Sequence, residues 1–128
     1  MREELIKLLD NAYAPYSNFQ VSAIAVMKDG TKFKGVNVEN SSYGGSICAE
    51  RNAINSAISH GYKSGDFDKL YVMTSGEKVS MPCFICRQTI VEFFSLSSLI
   101  TCYDKNGNSL EYKVSELCPY PFDKTDLD

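Results

Sequence analysis

The stretch Cys48–Tyr103, CAERNAINSAISHGYKSGDFDKLYVMTSGEKVSMPCFICRQTIVEFFSLSSLITCY, alternates between two apolar periods, and that alternation decides the fold. Ala49, Ala53, Ile54, Ala57 and Ile58 recur at helical spacing. This predicts a helix over Cys48–His60, with Gly61 as its C-terminal stop. Leu70–Thr74 (LYVMT) is short, apolar and rich in strand formers, so it reads as a buried strand. Ser75–Pro82 is a loop. Helical spacing returns in Cys83–Phe94, where Ile85, Thr89 and Phe93 form one line and Cys86, Ile90 and Phe94 the next. Leu99–Tyr103 reads as a second buried strand. Alternating helix and strand favour a sheet covered by helices on both faces.

Upstream, Met1–Ala14 carries Leu5, Ile6, Leu8, Leu9 and Ala12 at helical spacing and is closed by Pro15. Phe19–Lys28 alternates as a half-buried strand does, Asp29-Gly30 signals a two-residue hairpin, and Thr31–Val38 is the partner strand. Glu39–Ile47 is polar and irregular. Downstream, Asn106-Gly107 marks another hairpin, Leu110–Val114 returns, and Ser115–Asp128 is a turn of helix and a polar tail. The expectation is an α/β fold. It is a three-layer α/β/α sandwich on a five-stranded mixed sheet, with residues 1–128 as a single domain.

Composition excludes several functions. Of 128 residues, 13 are Lys or Arg and 16 are Asp or Glu, for a net charge of −3. A nucleic-acid partner held by bulk electrostatics is not expected, because the net charge is negative and the lysines are scattered. Hydrophobic residues make up 44%, too many for a disordered chain. No apolar run approaches the ~20 residues of a membrane span. The N-terminus has acids inside its apolar periodicity and no signal-peptide core. The five cysteines are an odd set, which points to a reducing, cytoplasmic setting and to metal or catalytic use.

Cys48-Ala49-Glu50 opens one predicted helix and Pro82-Cys83-Phe84-Ile85-Cys86 opens another. Cys83 and Cys86 are three apart, so their sulfurs fall on one side. If the two helix starts face each other, three thiolates converge where two helix dipoles favour negative charge. Three protein ligands leave the fourth position of tetrahedral zinc open, as in catalytic sites. Glu50, two residues past Cys48, can reach that position without ligating. Three thiolates on zinc carry a net charge of about −1 by counting. Arg51 and Arg87, each next to this set, are the candidates to hydrogen-bond the sulfurs and offset it. Alone, Cys83 and Cys86 also suit a redox pair, and Glu50 suits an ordinary helix-start acid. Cys102 and Cys118 read as structural thiols, and His60 as a helix C-terminal residue.

The chain resembles the small, zinc-dependent, homotetrameric cytidine deaminases. AYAPYSNFQVSAIAV (Ala12–Val26) is similar to that family's first strand and preceding loop. GVNVENSSYGGSICAER (Gly35–Arg51) is similar to its nucleoside-binding and first zinc segment, and PCFICRQTIVEF (Pro82–Phe93) to its second zinc helix. ELCPYPF (Glu116–Phe122) resembles its C-terminal ending. The resemblance implies one zinc per subunit on Cys48, Cys83 and Cys86, with Glu50 moving protons. Asn37 and Glu39 would meet the ribose at its 3′-hydroxyl, Phe19 the base, and the backbone near Ser46 and Ala49 would contact the base as well. Phe122 would close a neighbouring subunit's site, in a homotetramer with shared active sites. The implied reaction is hydrolytic deamination of cytidine and deoxycytidine to uridine and deoxyuridine in pyrimidine salvage. The alternatives are another aminopyrimidine-nucleoside deaminase, such as the blasticidin S type, and a non-catalytic zinc-binding paralogue. Phe84-Ile85 stands where the family has Gly-Ala, which could narrow the pocket. Ser22 stands where it has Gly, and Cys118 where it has Leu.

Overall fold

A computed structural model describes Met1–Asp128. The elements are α1 (Arg2–Leu9), β1 (Val21–Met27), β2 (Lys32–Val36), α2 (Ala49–Ser59), β3 (Phe67–Thr74), α3 (Phe84–Phe93), β4 (Phe94–Tyr103), β5 (Ser109–Lys113) and α4 (Val114–Leu117). The five strands form one mixed sheet in the order β2-β1-β3-β4-β5. β1 is antiparallel to both β2 and β3, β3 is parallel to β4, and β4 is antiparallel to β5. The α/β class and the five-stranded mixed sheet are those the sequence predicts.

β2 and β3 run the same way, so β2-α2-β3 and β3-α3-β4 are two successive crossovers. Such crossovers are nearly always right-handed. Both step in one direction across the sheet, so both helices land on one face. Ala53, Ile54 and Ala57 of α2 and Ile90 of α3 share one core with Ala23, Ala25, Val72 and Ile100. Val114 and Leu117 of α4 join that core. The opposite face carries only α1, where Leu5 packs on Ile24 and Met73. The buried Ser22 hydroxyl donates to the Leu5 carbonyl at 2.9 Å and pins α1 to β1. The three layers are therefore unequal, with most helical mass on the α2–α3 side.

Several boundaries differ from the sequence reading. α1 stops at Leu9 rather than Ala14, because Tyr13 leaves the helix to bridge Val38. β4 starts at Phe94 rather than Leu99, directly from the last residue of α3. Val114 opens α4 instead of ending β5. The first hairpin closes with Met27 N–H on the Thr31 carbonyl, leaving a three-residue loop with Gly30 at φ 90°. That is the longer loop type, whose last position needs a left-handed backbone. No helix is long and apolar enough to cross a membrane.

Candidate metal centre

The same-face crossovers set two helix N-termini side by side. α2 begins beyond the carboxyl end of β2 and α3 beyond that of β3, where open α/β sheets place ligands. Cys48 is the N-cap of α2 and Cys83 the N-cap of α3. Cys86 lies one turn into α3. The three Sγ atoms lie within 4.8 Å of one another. Cys48 Sγ is 3.8 Å from Cys83 Sγ, which is 3.6 Å from Cys86 Sγ. Tetrahedral zinc with Zn–S bonds of about 2.3 Å sets its sulfurs about 3.8 Å apart. The thiols fit zinc as they stand, and three donors leave one coordination position for water or substrate.

Arg51 aims Nη2 at Cys48 Sγ (4.0 Å) and at the Ser46 carbonyl (3.5 Å). Its Nε is buried without a partner. A cation with unspent donors suits a cluster that becomes anionic when its thiols ionise. Arg87 does not share this role. It donates to the carbonyls of Pro82 (2.8 Å) and Leu117 (3.0 Å), with its guanidinium 4.4 Å from the Phe84 ring centre. One residue past Cys86, it is turned about 100° around the helix from that sulfur. It ties α3 to the C-terminal segment.

Cys48 is an acidic thiol. The hydrogen bond from Cys86, helped by Arg51, brings it down to about 5. The same pairing and burial push Cys86 up. Glu50 is only 4% exposed. Burial, with Cys48 beside it, pushes its carboxyl up to about 7.

Glu50, Cys48 and Cys83 line a cavity of about 280 Å³ together with Phe19, Asn37 and Glu39. Asn37 Oδ1 accepts from the Val21 N–H and Nδ2 donates to the Phe19 carbonyl, both at 2.8 Å. The amide thereby extends the strand pairing past Val21 and holds Phe19 at the cavity wall. Glu39 Oε1 accepts from the N–H groups of Tyr16 (2.9 Å) and Ser17 (3.2 Å), and Oε2 accepts from the Ser17 hydroxyl. These bonds, the hydroxyl's first, hold its carboxyl below the usual range.

Other expected residues lie elsewhere. Ala49 is buried in the first turn of α2, and Ser46 lines a neighbouring depression with Tyr16 and Tyr43. Phe122 is 59% exposed and sits in a separate groove against α3, its carbonyl accepting from Gln88 Nε2 at 2.7 Å. Phe84 (76% exposed) lines that groove too, and neither it nor Ile85 lines the cavity. The replacement of Gly-Ala therefore does not narrow the pocket of this chain. Sequence reasoning passed over Ser17, Thr74, Met81 and Pro82, which do line it. Met81 and Pro82 had a signal, since they immediately precede the N-cap Cys83.

Zinc deaminases are built around three such ligands and a glutamate that does not bind the metal. Residues 1–102 match the family described as the cytidine and deoxycytidylate deaminase zinc-binding region. A cytidine deaminase of Halalkalibacterium halodurans is 38% identical over 125 residues, covering 98% of this chain and 93% of that protein. One of Sporosarcina psychrophila is 40% identical over 121 residues, covering 94% and 88%. The crystal structure of a cytidine deaminase from Burkholderia pseudomallei has a TM-score of 0.90 at 38% identity, covering 94% of each chain. The chain belongs to this zinc deaminase family.

Proposed function

We propose that this chain is a cytidine deaminase, hydrolysing cytidine and deoxycytidine to uridine or deoxyuridine and ammonia. The observation that carries the reading is the buried Glu50 carboxyl in one cavity with Cys48 and Cys83 of the thiol cluster and with Phe19, Asn37 and Glu39. Cys48, Cys83 and Cys86 would hold the zinc, which when bound would supply Lewis-acid activation of water. Glu50 takes a proton from the attacking water and passes it to ring N3, then takes the proton of the new C4 hydroxyl and gives it to the amine, so that the C4–N bond breaks to ammonia and the C4 carbonyl forms. General acid–base transfer of this kind contributes roughly 10²–10⁴-fold. Phe19 packs on the base at the cavity wall. Asn37 keeps one amide hydrogen, and Glu39 keeps lone pairs, for the sugar's 3′-hydroxyl. Arg51 offsets the charge of the thiolates.

Phe122 acts in trans, in a homotetramer whose subunits complete each other's sites. Support for this is that Phe122 is exposed and lies outside its own chain's cavity. The whole chain acts as one catalytic domain in the cytoplasm, where its five unpaired thiols suit a reducing setting. The test is incubation of the zinc-loaded protein with cytidine, deoxycytidine, CMP and blasticidin S. The expected result is uridine or deoxyuridine with equimolar ammonia from the two nucleosides. Zinc-loaded protein that turns over neither nucleoside contradicts the reading, and turnover of blasticidin S alone moves it to that substrate.

A further inference from the structure

The loop before β1 carries a polar side chain that links two walls of the cavity. Ser17 lines the cavity beside Phe19 and Glu39. Its hydroxyl donates to Glu39 Oε2 and accepts from the Phe19 N–H at 3.0 Å. Its own N–H donates to Glu39 Oε1 at 3.2 Å, next to the Tyr16 N–H at 2.9 Å. One turn thus grips both carboxylate oxygens. Asn18 makes that turn tight by adopting φ 57°, a left-handed conformation that Asn tolerates better than most residues. The serine hydroxyl can then meet the N–H two residues on, as in an ST-turn.

We propose that Ser17 is a positioning residue for sugar recognition: its hydroxyl fixes Glu39 Oε2 so that a lone pair stays aimed at a hydroxyl of the bound nucleoside. The inference rests on the reading that Glu39 receives the sugar. A carboxylate oxygen can accept more than one hydrogen bond, so the serine orients Oε2 without exhausting it. Without the hydroxyl, Oε1 remains held by two N–H groups while Oε2 loses its anchor. Binding must then order that carboxylate again, and the ordering cost weakens substrate affinity. Bonds to a charged acceptor are the stronger kind, so the loss is measurable.

The test compares zinc-loaded wild type and Ser17→Ala on cytidine and on 2′,3′-dideoxycytidine, which keeps the base and lacks the ring hydroxyls. Ser17→Ala is expected to raise KM for cytidine about tenfold while kcat stays within about twofold. KM for the dideoxynucleoside stays within about twofold, because the bond that Ser17 supports is not made. Ser17→Thr, which keeps the hydroxyl, restores the discrimination. In a Glu39→Ala background, Ser17→Ala adds less than about twofold, because the group it positions is gone. An equal rise on both substrates assigns the effect to Phe19 or to the loop at large and overturns the proposal. An unchanged KM for cytidine overturns it too. Wild type that treats both nucleosides alike defeats the reading of Glu39 itself. Wild type that discriminates, with Ser17→Ala discriminating equally, defeats only the role of Ser17.

Discussion

Gly35→Ala is expected to damage the metal centre from underneath. Gly35 lies on β2 below the first turns of α2. A Cβ there meets the Ala49 carbonyl oxygen and the Ala53 nitrogen, each at 2.4 Å. Ordinary Cβ contacts begin near 3.4 Å, so the helix must retreat by about 1 Å. Both obstacles are backbone, and neither can rotate away. The Asn52 amide, which donates to the Val36 carbonyl at 2.8 Å, opposes the retreat. Overpacking of this kind costs about 1–3 kcal/mol. At about 3–5 °C per kcal/mol for a chain of this length, Tm falls by about 3–15 °C. Cys48 and Glu50 travel with the displaced turn, and a shift of about 1 Å at reacting groups costs up to about 10²-fold in rate. The assay is calorimetric Tm, zinc affinity by chelator competition, and kcat on cytidine, all on one preparation. Unchanged Tm together with unchanged kcat refutes the claim that α2 is seated through the missing Cβ.

The two arginines beside the cysteines are expected to separate. Arg51→Gln weakens zinc binding about tenfold or more, the usual effect of losing a group that supports the ligands. Arg87→Gln leaves zinc affinity within about twofold but lowers stability by about 1–3 kcal/mol, because the Pro82 and Leu117 carbonyls lose their donor. Chelator competition and calorimetry read both, and the reverse pattern contradicts the assignment. Asp104 accepts from the N–H groups of Asn106 and Asn108 and from the Asn108 side chain. These bonds, the Asn108 side chain's first, hold its carboxyl below the usual 3.8. A depressed carboxyl adds stability that is complete above the unfolded value and is lost as pH falls through the folded one. Asp104→Asn is therefore expected to lower Tm at neutral pH and to cost progressively less as pH drops below about 3.8. An equal loss across that range sinks the account of this loop.

The parts of the fold legible in the sequence are those written in local periods. The faces of α2 and α3, the strand at Leu70–Thr74 and the glycine turns all follow from spacing and backbone preference. Phe93-Phe94 could not be divided that way. The chain passes from helix to strand there without a turn residue, and two phenylalanines suit either period. The end of α1 is set by a tertiary bridge, Tyr13 to Val38, that no local pattern announces. At the site, the pairing of Cys83 with Cys86 was legible because helix geometry brings i and i+3 together, whereas Cys48 joins them only through the chain's tertiary path. Arg87 donates to the Pro82 and Leu117 carbonyls, because proximity in sequence to Cys86 does not fix which way a helical side chain turns. Phe84 and Ile85 stand between the two cysteines in sequence, yet neither lines the cavity. Ser17 was invisible because its importance lies in hydrogen bonds to residue 39, twenty-two positions away.

The central claim is that Glu50 performs proton transfer beside zinc held by Cys48, Cys83 and Cys86. The most direct measurement is kcat on cytidine, with zinc quantified in the same sample, for wild type and Glu50→Gln. About one zinc per chain is expected in both, with a loss of at least about 10²-fold in kcat for Glu50→Gln. Glu50→Gln that keeps its zinc and deaminates cytidine at the wild-type rate contradicts the claim.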